Sequence, residues 1–307
     1  MERKRVRGNT YVIEARSELI PYYQVGERDI VLLDSGYETP DREALKALLD
    51  REGLRVAAVI GTHIHTDHSG NHSYFQSKGA EIILPFIEAA VGQSPLTGKL
   101  AFFLCSPGQV ETLFGSMLVK ADRVIMPGEE EVSVCGAVFR IVSLPGHTTG
   151  HIGIITPDHV FYVGDALMSE DILNNAKLPT SLSYAADLES KRKLYDHSYD
   201  AYIVAHKGIY KDITRLIARN IEHREERVQA VAGCLQEPMT LDELSHVVWQ
   251  AFSVRTRQPG RIAVYLRNLH SILEYLCDRG DVERQFAEGI TRYVQKKASL
   301  HPAVHQG

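Results

Sequence analysis

Up to about residue 212 the chain alternates short apolar runs with breaks rich in glycine, proline and polar residues. Runs at 30–33, 56–60, 81–84, 138–142, 152–155, 160–163 and 202–205 have strand length and end at turn signals. Helical segments fall between some of them. Thr39-Pro40 reads as an N-cap followed by proline at the first helical position, with the helix running to Gly53. A second helix begins near Asp67, and a third covers 188–195. Strands alternating with helices predict an α/β domain over 1–212.

From about Asp212 the glycines and prolines thin out and helical periodicity takes over. One helix is expected from Ile213 to about Leu235. Thr240 with Glu243 three residues on forms a capping-box pattern that starts a second. A third runs from about Arg261 to Arg279, Gly280 stops it, and Asp281-Val282-Glu283 suits a short strand or wing. Three helices and a turn over 213–307 suggest a small winged-helix-like module, with a plain helical cap as the alternative. Residues after about 300 are expected to fray.

Composition changes this picture little. The 307 residues are 44% hydrophobic and 24% charged, enough to bury a sizeable core. The net charge of -5 does not suit a generic nucleic-acid binder. No stretch of about 18 apolar residues predicts a membrane span. The start, Met1-Glu2-Arg3-Lys4-Arg5, lacks the apolar run of a secretory signal, and Glu2 and Glu14 argue against a transit peptide. Cys105, Cys135, Cys234 and Cys277 are far apart, with no Cys-x-x-Cys pair. They read as buried thiols of a cytoplasmic protein.

Chemistry concentrates in Thr62-His63-Ile64-His65-Thr66-Asp67-His68, directly after a predicted strand. Alternate residues of extended chain face the same way, so His63 and His65 can reach one ion. Asp67 and His68 enter a helix start, where the turn redirects them to a neighbouring point. Each ion needs about four ligands, so others must come from elsewhere. His147, Asp165 and His206 each follow or end an apolar run beside a glycine or a turn, the setting of functional loops on an α/β scaffold.

This series resembles the five motifs of the metallo-β-lactamase superfamily, in order, over roughly residues 10–212. Asp34 in Leu33-Asp34-Ser35-Gly36 matches the first motif. The His63–His68 cluster matches the second, and His147, Asp165 and His206 match the third, fourth and fifth. The resemblance implies a four-layer αβ/βα sandwich with the site at one edge between two sheets. It implies that His63, His65 and His147 bind a first metal and Asp67, His68 and His206 a second, with Asp165 bridging both. Two divalent ions are expected, zinc by default, with iron or manganese also compatible with these ligands. The second motif lacks the Glu of diiron flavoprotein relatives, and the second site has no cysteine ligand of the kind that drug-hydrolysing lactamases use. Asp34 and His151 are expected to support the ligands from behind. His72 reads as solvated or supporting, and His159 and His197 as surface histidines.

The implied mechanism is attack of a dinuclear-metal-bound hydroxide on a carbonyl or phosphoryl centre, with Asp67 and Asp165 in catalytic roles. Lys207 beside His206 is a candidate for an anionic substrate, although a surface lysine is the plainer reading. Tyr184 and Tyr210 are candidate pocket-lining residues. Residues 85–122 form a long insertion with Phe86, Phe102, Phe103, Phe114, Met117 and Leu118, suited to a lid or pocket wall, a homodimer contact or core packing. The metal pattern is shared with hydroxyacylglutathione hydrolases, which favours a small ester or thioester. Their basic glutathione-binding segment is not recognisable here. The alternative is an endoribonuclease of the same fold acting on single-stranded RNA. Residues 213–307 carry 13 Lys and Arg against 11 Asp and Glu, net +2, whereas 1–212 carry 21 against 28, net -7. Arg255, Arg257, Arg261 and Arg267 gather near one helix start and could touch phosphates, or form a solvated helix face. A non-enzymatic metal scaffold is the third reading.

Overall fold

A computed structural model describes residues 1–296. The expectation for the segment after residue 300 lies outside the described residues. Seven strands form the first sheet in chain order: β1 (Glu2–Arg7), β2 (Thr10–Glu14), β3 (Leu19–Gln24), β4 (Asp29–Leu33), β5 (Arg55–Ile60), β6 (Glu81–Pro85) and β7 (Arg123–Ile125). The pairs from β4 to β7 are parallel. The second sheet comprises β8 (Glu131–Val134), β9 (Ala137–Ser143), β10 (Ile152–Ile155), β11 (Val160–Tyr162), β12 (Ala201–Val204) and β13 (Gly208–Tyr210), with only β11 and β12 parallel.

The two sheets face each other across one apolar cluster. Val31, Leu33, Ala58 and Ile60 of the first meet Phe139, Ile154, Tyr162 and Ile203 of the second. Separate clusters cover the outer faces. Leu45, Leu48 and Leu49 of the helix Asp41–Glu52 pack on the first sheet, and Leu216 and Ile217 pack on the second. The result is the four-layer αβ/βα sandwich. Strands buried on both faces, such as β10 and β12, read as unbroken apolar runs. The β8–β9 hairpin alternates instead and closes through Cys135-Gly136, both at positive φ, as a two-residue primed turn requires.

Helix positions shift slightly from expectation. Pro40, not Thr39, occupies the N-cap, so the first helix begins at Asp41, without a side-chain cap. The segment at Asp67 is one turn, Thr66–Ser69, followed by His72–Ser77. The helix expected from residue 188 starts earlier, at Tyr184, because the Ser183 hydroxyl accepts the Ala186 N–H. The insertion folds into three short helices, Phe86–Gly92, Pro95–Gly98 and Pro107–Phe114.

The C-terminal region has helices Thr214–Cys234, Leu241–Ala251 and Pro259–Asp278, then a hairpin of β14 (Val282–Ala287) and β15 (Ile290–Gln295). The Thr240–Glu243 capping box forms as predicted, with Thr240 N–H donating to Glu243 at 2.7 Å and Glu243 N–H to Thr240 Oγ at 3.2 Å. Leu269, Ile272 and Leu276 pack with Val228, Val231 and Leu244. Tyr184 joins that cluster, so the region shares its apolar interior with the sandwich. Of the cysteines only Cys105 is buried. Cys135 is exposed because it sits in the hairpin turn, Cys234 and Cys277 are half-buried, and all four are free thiols. No described helix is long and apolar enough to cross a membrane.

Close backbone approach is tightest at Gly146, at φ +132°, where an added Cβ would overlap the backbone of Asp187. Gly79, at φ +91°, has open space around it. Gly79→Ala is expected to cost about 1 kcal/mol from backbone strain alone. Gly146→Ala should cost about 3 kcal/mol, because overpacking adds to strain. Denaturant unfolding of the two variants checks this, and equal losses would show that the Asp187 contact is unimportant.

Candidate metal centre

The ends of β4, β5, β9, β11 and β12 meet at one edge of the sandwich, and the chemistry-bearing side chains sit on the loops leaving them. Asp34 follows β4 at φ 63°. Its carboxylate accepts Thr62 N–H and the Thr62 hydroxyl, each at 2.7 Å, and the Tyr162 hydroxyl from the other sheet at 2.8 Å. Its Oδ2 also lies 2.8 Å from His68 Nδ1.

These contacts decide which imidazole nitrogen faces inward. The Thr62 hydroxyl donates to Asp34, so its oxygen is left to accept from His63 Nδ1 at 3.0 Å. The Thr180 carbonyl, 3.3 Å from His147 Nδ1, and the Ser17 carbonyl, 3.4 Å from His206 Nδ1, can only accept. The Nε2 atoms of His63, His68, His147 and His206 therefore face the centre and offer it a lone pair whenever the ring is neutral. His65, at the N-cap of the Thr66–Ser69 turn, presents Nδ1 instead, 3.1 Å from His63 Nε2 and 2.9 Å from His147 Nε2.

Two groups result: His63, His65 and His147 in one, and Asp67, His68, Asp165 and His206 in the other. Within each group the ligand atoms lie within 4.8 Å of one another. Asp165 touches both, with Oδ2 3.2 Å from His147 Nε2 and 3.4 Å from His206 Nε2, and Oδ1 3.3 Å from His68 Nε2. His206 Nε2 lies 3.5 Å from Asp67 Oδ2. All seven predicted ligands are thus brought together.

The donor set fits divalent metal ions. Nitrogens about 3.3 Å apart are the edge of a tetrahedron with metal–nitrogen bonds of about 2.0 Å. His68 Nε2 and Asp165 Oδ1 are buried without a hydrogen-bond partner, which is costly unless something else takes their lone pairs. Burial, reinforced by neighbouring histidines or Arg267, holds His63, His65 and His147 well below the ordinary histidine pKa, so they are neutral and ready to donate lone pairs. In the second group Asp165 outweighs burial and raises His206 to about 9. Burial opposes charge on His68, but Asp165, Asp67 and Asp34 raise it overall. Burial also opposes charge on Asp165, yet His206, His68 and His147 hold it well below the usual carboxylate range.

Supporting residues fall partly where expected. His151 is buried and its Nε2 accepts the Asp165 N–H at 3.1 Å. His72 is fully buried, not solvated, with Nδ1 2.7 Å from Ser35 Oγ. His159 is exposed, as expected, while His197 is half-buried against Phe161. Lys207 is exposed and outside the cavity beside the ligands. Tyr210 lies on the edge strand β13, and Tyr184 is buried against the C-terminal helices, so neither lines that cavity. Nearness in sequence to a motif did not bring these three side chains to the cavity wall.

Sequence reasoning missed several buried charged residues, three of which bear on the site. Glu88, from the insertion, accepts the Thr148 hydroxyl at 2.7 Å, Gly150 N–H at 2.9 Å and Ile64 N–H at 3.2 Å, tying together two ligand loops. A lone acid within Phe86-Ile87-Glu88-Ala89-Ala90-Val91 was the available signal. Glu18 is buried with Oε2 4.0 Å from His68 Nε2, and burial raises its pKa. Arg224, on the helix Thr214–Cys234, donates to the Thr180 carbonyl that orients His147. The cavity itself measures about 360 Å³. Five ligands line one side, Phe102, Phe114 and Met117 come from the insertion, Met168 and Ile172 follow β11, and Val264 and Arg267 come from the last helix. The insertion thus supplies pocket wall, while Phe86 and Phe103 are exposed elsewhere.

Comparison with known proteins agrees with this geometry. Residues 4–206 match the Metallo-beta-lactamase superfamily. The chain is 28% identical to the hydroxyacylglutathione hydrolase of Synechococcus sp. over 134 residues, which is 44% of this chain and 41% of that one. It is 25% identical to hydroxyacylglutathione hydrolase 1 of Vibrio vulnificus over 177 residues, 55% and 58% of the two chains. The chain thus spans about half the length of these curated relatives. A metallo-beta-lactamase family protein from Thermus thermophilus superposes over 94% of this chain and 99% of its own, with TM-score 0.72 and 23% identity. A beta-lactamase domain protein from Burkholderia ambifaria does so over 96% and 95%, with TM-score 0.70 and 17% identity. Both share the fold through the C-terminal helices as well as the sandwich. With its family match spanning both ligand groups and Asp165 between them, the chain belongs to the metallo-β-lactamase superfamily.

Proposed function

We propose that this protein hydrolyses a small ester or thioester at a site holding two divalent metal ions, zinc by donor preference. The supporting observation is the pair of ligand groups joined by Asp165 at the floor of a cavity with apolar walls. His63, His65 and His147 would hold one ion, and Asp67, His68 and His206 the other, with Asp165 shared. Such a pair of ions supplies a Lewis acid and lowers the pKa of water at the site.

The chain's own residues orient and exclude. Asp34 and the Thr180 and Ser17 carbonyls fix ring orientation, and Phe102, Phe114 and Met117 keep bulk water from one side. Asp67, half-buried and lining the cavity, would steer a proton. The names of the curated relatives favour thioester chemistry. We also read the three C-terminal helices and hairpin over 213–307 as a winged-helix-like module. The exposed Arg255, Arg257 and Arg261 keep single-stranded RNA as the second substrate class to test. Arg267 does not belong to that surface, because it is buried in the cavity wall.

A panel of a small thioester, a lactone, a β-lactam, bis-p-nitrophenyl phosphate and single-stranded RNA, offered to zinc-loaded protein, separates these readings, with turnover of the thioester expected. His65→Ala and Asp165→Ala should each lose bound metal together with at least a thousandfold of that activity. Full activity in either variant would refute the site. Metal uptake should also release protons. His206 carries a proton up to about pH 9 in the metal-free site and must lose it to bind an ion. Its raised pKa means that the proton competes below about pH 9 and ceases to above it. At pH 7 calorimetry in buffers of different ionisation enthalpy should show at least one proton released per chain. Release of none would contradict the assignment of His206.

A further inference from the structure

Two arginines are buried in this chain close to the metal centre, and they differ in how their donors are used. Arg224 is fully engaged: Nη1 donates to Pro179 O at 2.9 Å, Nη2 to Thr180 O at 3.1 Å, and Nε lies 2.9 Å from Asp187 Oδ2. Arg267 is 4% exposed and uses one nitrogen, Nη1, which donates to Ala101 O at 3.1 Å. Its Nε and Nη2 are buried and have no hydrogen-bond partner. The Phe102 ring lies 5.0 Å from its Cζ and steadies the guanidinium without accepting those N–H groups.

A permanently charged group buried with idle donors is unfavourable unless a ligand completes it. As a plain tether between the last helix and the insertion, Arg267 would need only the Ala101 bond, and a neutral donor would serve at less desolvation cost. The idle edge is the informative part. Nε and Nη2 form the fork that matches the two oxygens of a carboxylate in parallel. Arg267 is also the one arginine or lysine lining the metal cavity among the described residues. Apolar side chains, Phe102, Met117, Met168 and Val264, share the same walls.

We propose that Arg267 is a substrate-binding residue whose Nε–Nη2 edge takes a carboxylate carried by an otherwise apolar ester or thioester. Arg267 lines both the metal cavity and a neighbouring one, and the proposal requires its Nε–Nη2 edge to turn to the metal cavity while Nη1 stays anchored at Ala101. The last helix, outside the residues matched by the family, would then set substrate choice for a reaction performed at the sheet ends. The assignment of the ester or thioester rests on the reading under Proposed function; the carboxylate site itself rests on Arg267.

The test uses zinc-loaded wild type, Arg267→Gln and Arg267→Lys, each checked for zinc content and thermal midpoint. Calorimetric titration with hexanoate and with its neutral analogue hexanamide reads the site without turnover. The S-ethyl monothioester of succinate and its uncharged methyl ester read it through KM. Wild type should bind hexanoate and the charged thioester about ten- to a hundredfold better than the neutral partners, the range of a charge-assisted bidentate pair. Arg267→Gln should lose this preference, and Arg267→Lys, which keeps the charge but not the fork, should lose most of it. Equal affinity of wild type for hexanoate and hexanamide would overturn the proposal. So would a preference that survives in Arg267→Gln, since the metals would then be holding the carboxylate. If Arg267→Gln fails to fold, the wild-type comparison and the lysine variant still decide. Loss of the hexanoate preference in the variants with neither thioester cleaved would keep the carboxylate site and refute the hydrolase reading. Cleavage of both thioesters with equal KM would do the reverse.

Discussion

Four donors converge on the Asp34 carboxylate, and the metal centre is organised around that convergence. Two come from Thr62 at the end of β5, one from His68 on the following turn, and one from Tyr162 on the opposite sheet. A buried carboxylate is costly unless its lone pairs are filled, so each of these bonds supports the others. By accepting from Tyr162, Asp34 joins the two sheets at the edge where the ligands emerge. By accepting from Thr62, it turns that hydroxyl oxygen toward His63 Nδ1 and thereby fixes the tautomer of a residue it does not touch.

The same logic recurs at longer range. Glu88 accepts from the Ile64 backbone and from the Thr148–Gly150 loop, so the insertion holds the first-group histidines in register. Arg224 holds the Thr180 carbonyl that aims His147, and Asp187, its ion-pair partner, passes under Gly146. The C-terminal helices are therefore part of what positions the site, even though the ligands all precede residue 207. Their shared apolar cluster with Tyr184 makes movement of one region relative to the other costly.

How much of this was legible in the chain follows from where each signal resides. The central strands were readable because parallel strands buried on both faces are continuous apolar runs. β1 was not, since Glu2-Arg3-Lys4-Arg5 is an edge strand with charged side chains, and Pro21 disguised β3. The seven candidate ligands were readable because their residue types recur beside turns at strand ends. Glu88, Arg224 and Arg267 acquire their roles from burial by elements far away in sequence, which periodicity does not report. Tyr184, Tyr210 and Lys207 show the converse, because chain neighbours of a motif can point to other faces of the fold.

The two ligand groups also differ in charge, and this bears on what the cavity can accept. Three neutral imidazoles make the first group, and no proton must leave it for an ion to enter. The second carries two carboxylates, and its histidines hold protons against them, so filling it is linked to proton loss. Two divalent ions would bring four positive charges against the carboxylates of Asp67 and Asp165, leaving a filled site net positive in a wall that also carries Arg267. Under the proposed function, a cavity with that balance would favour a substrate bearing negative charge, while its volume of about 360 Å³ and its single lining cation, Arg267, would disfavour a polyanion. The net charge of -5 would act against nonspecific anion capture, so in the proposed reaction selection would fall to the fixed donors inside the cavity and not to the field of the whole molecule.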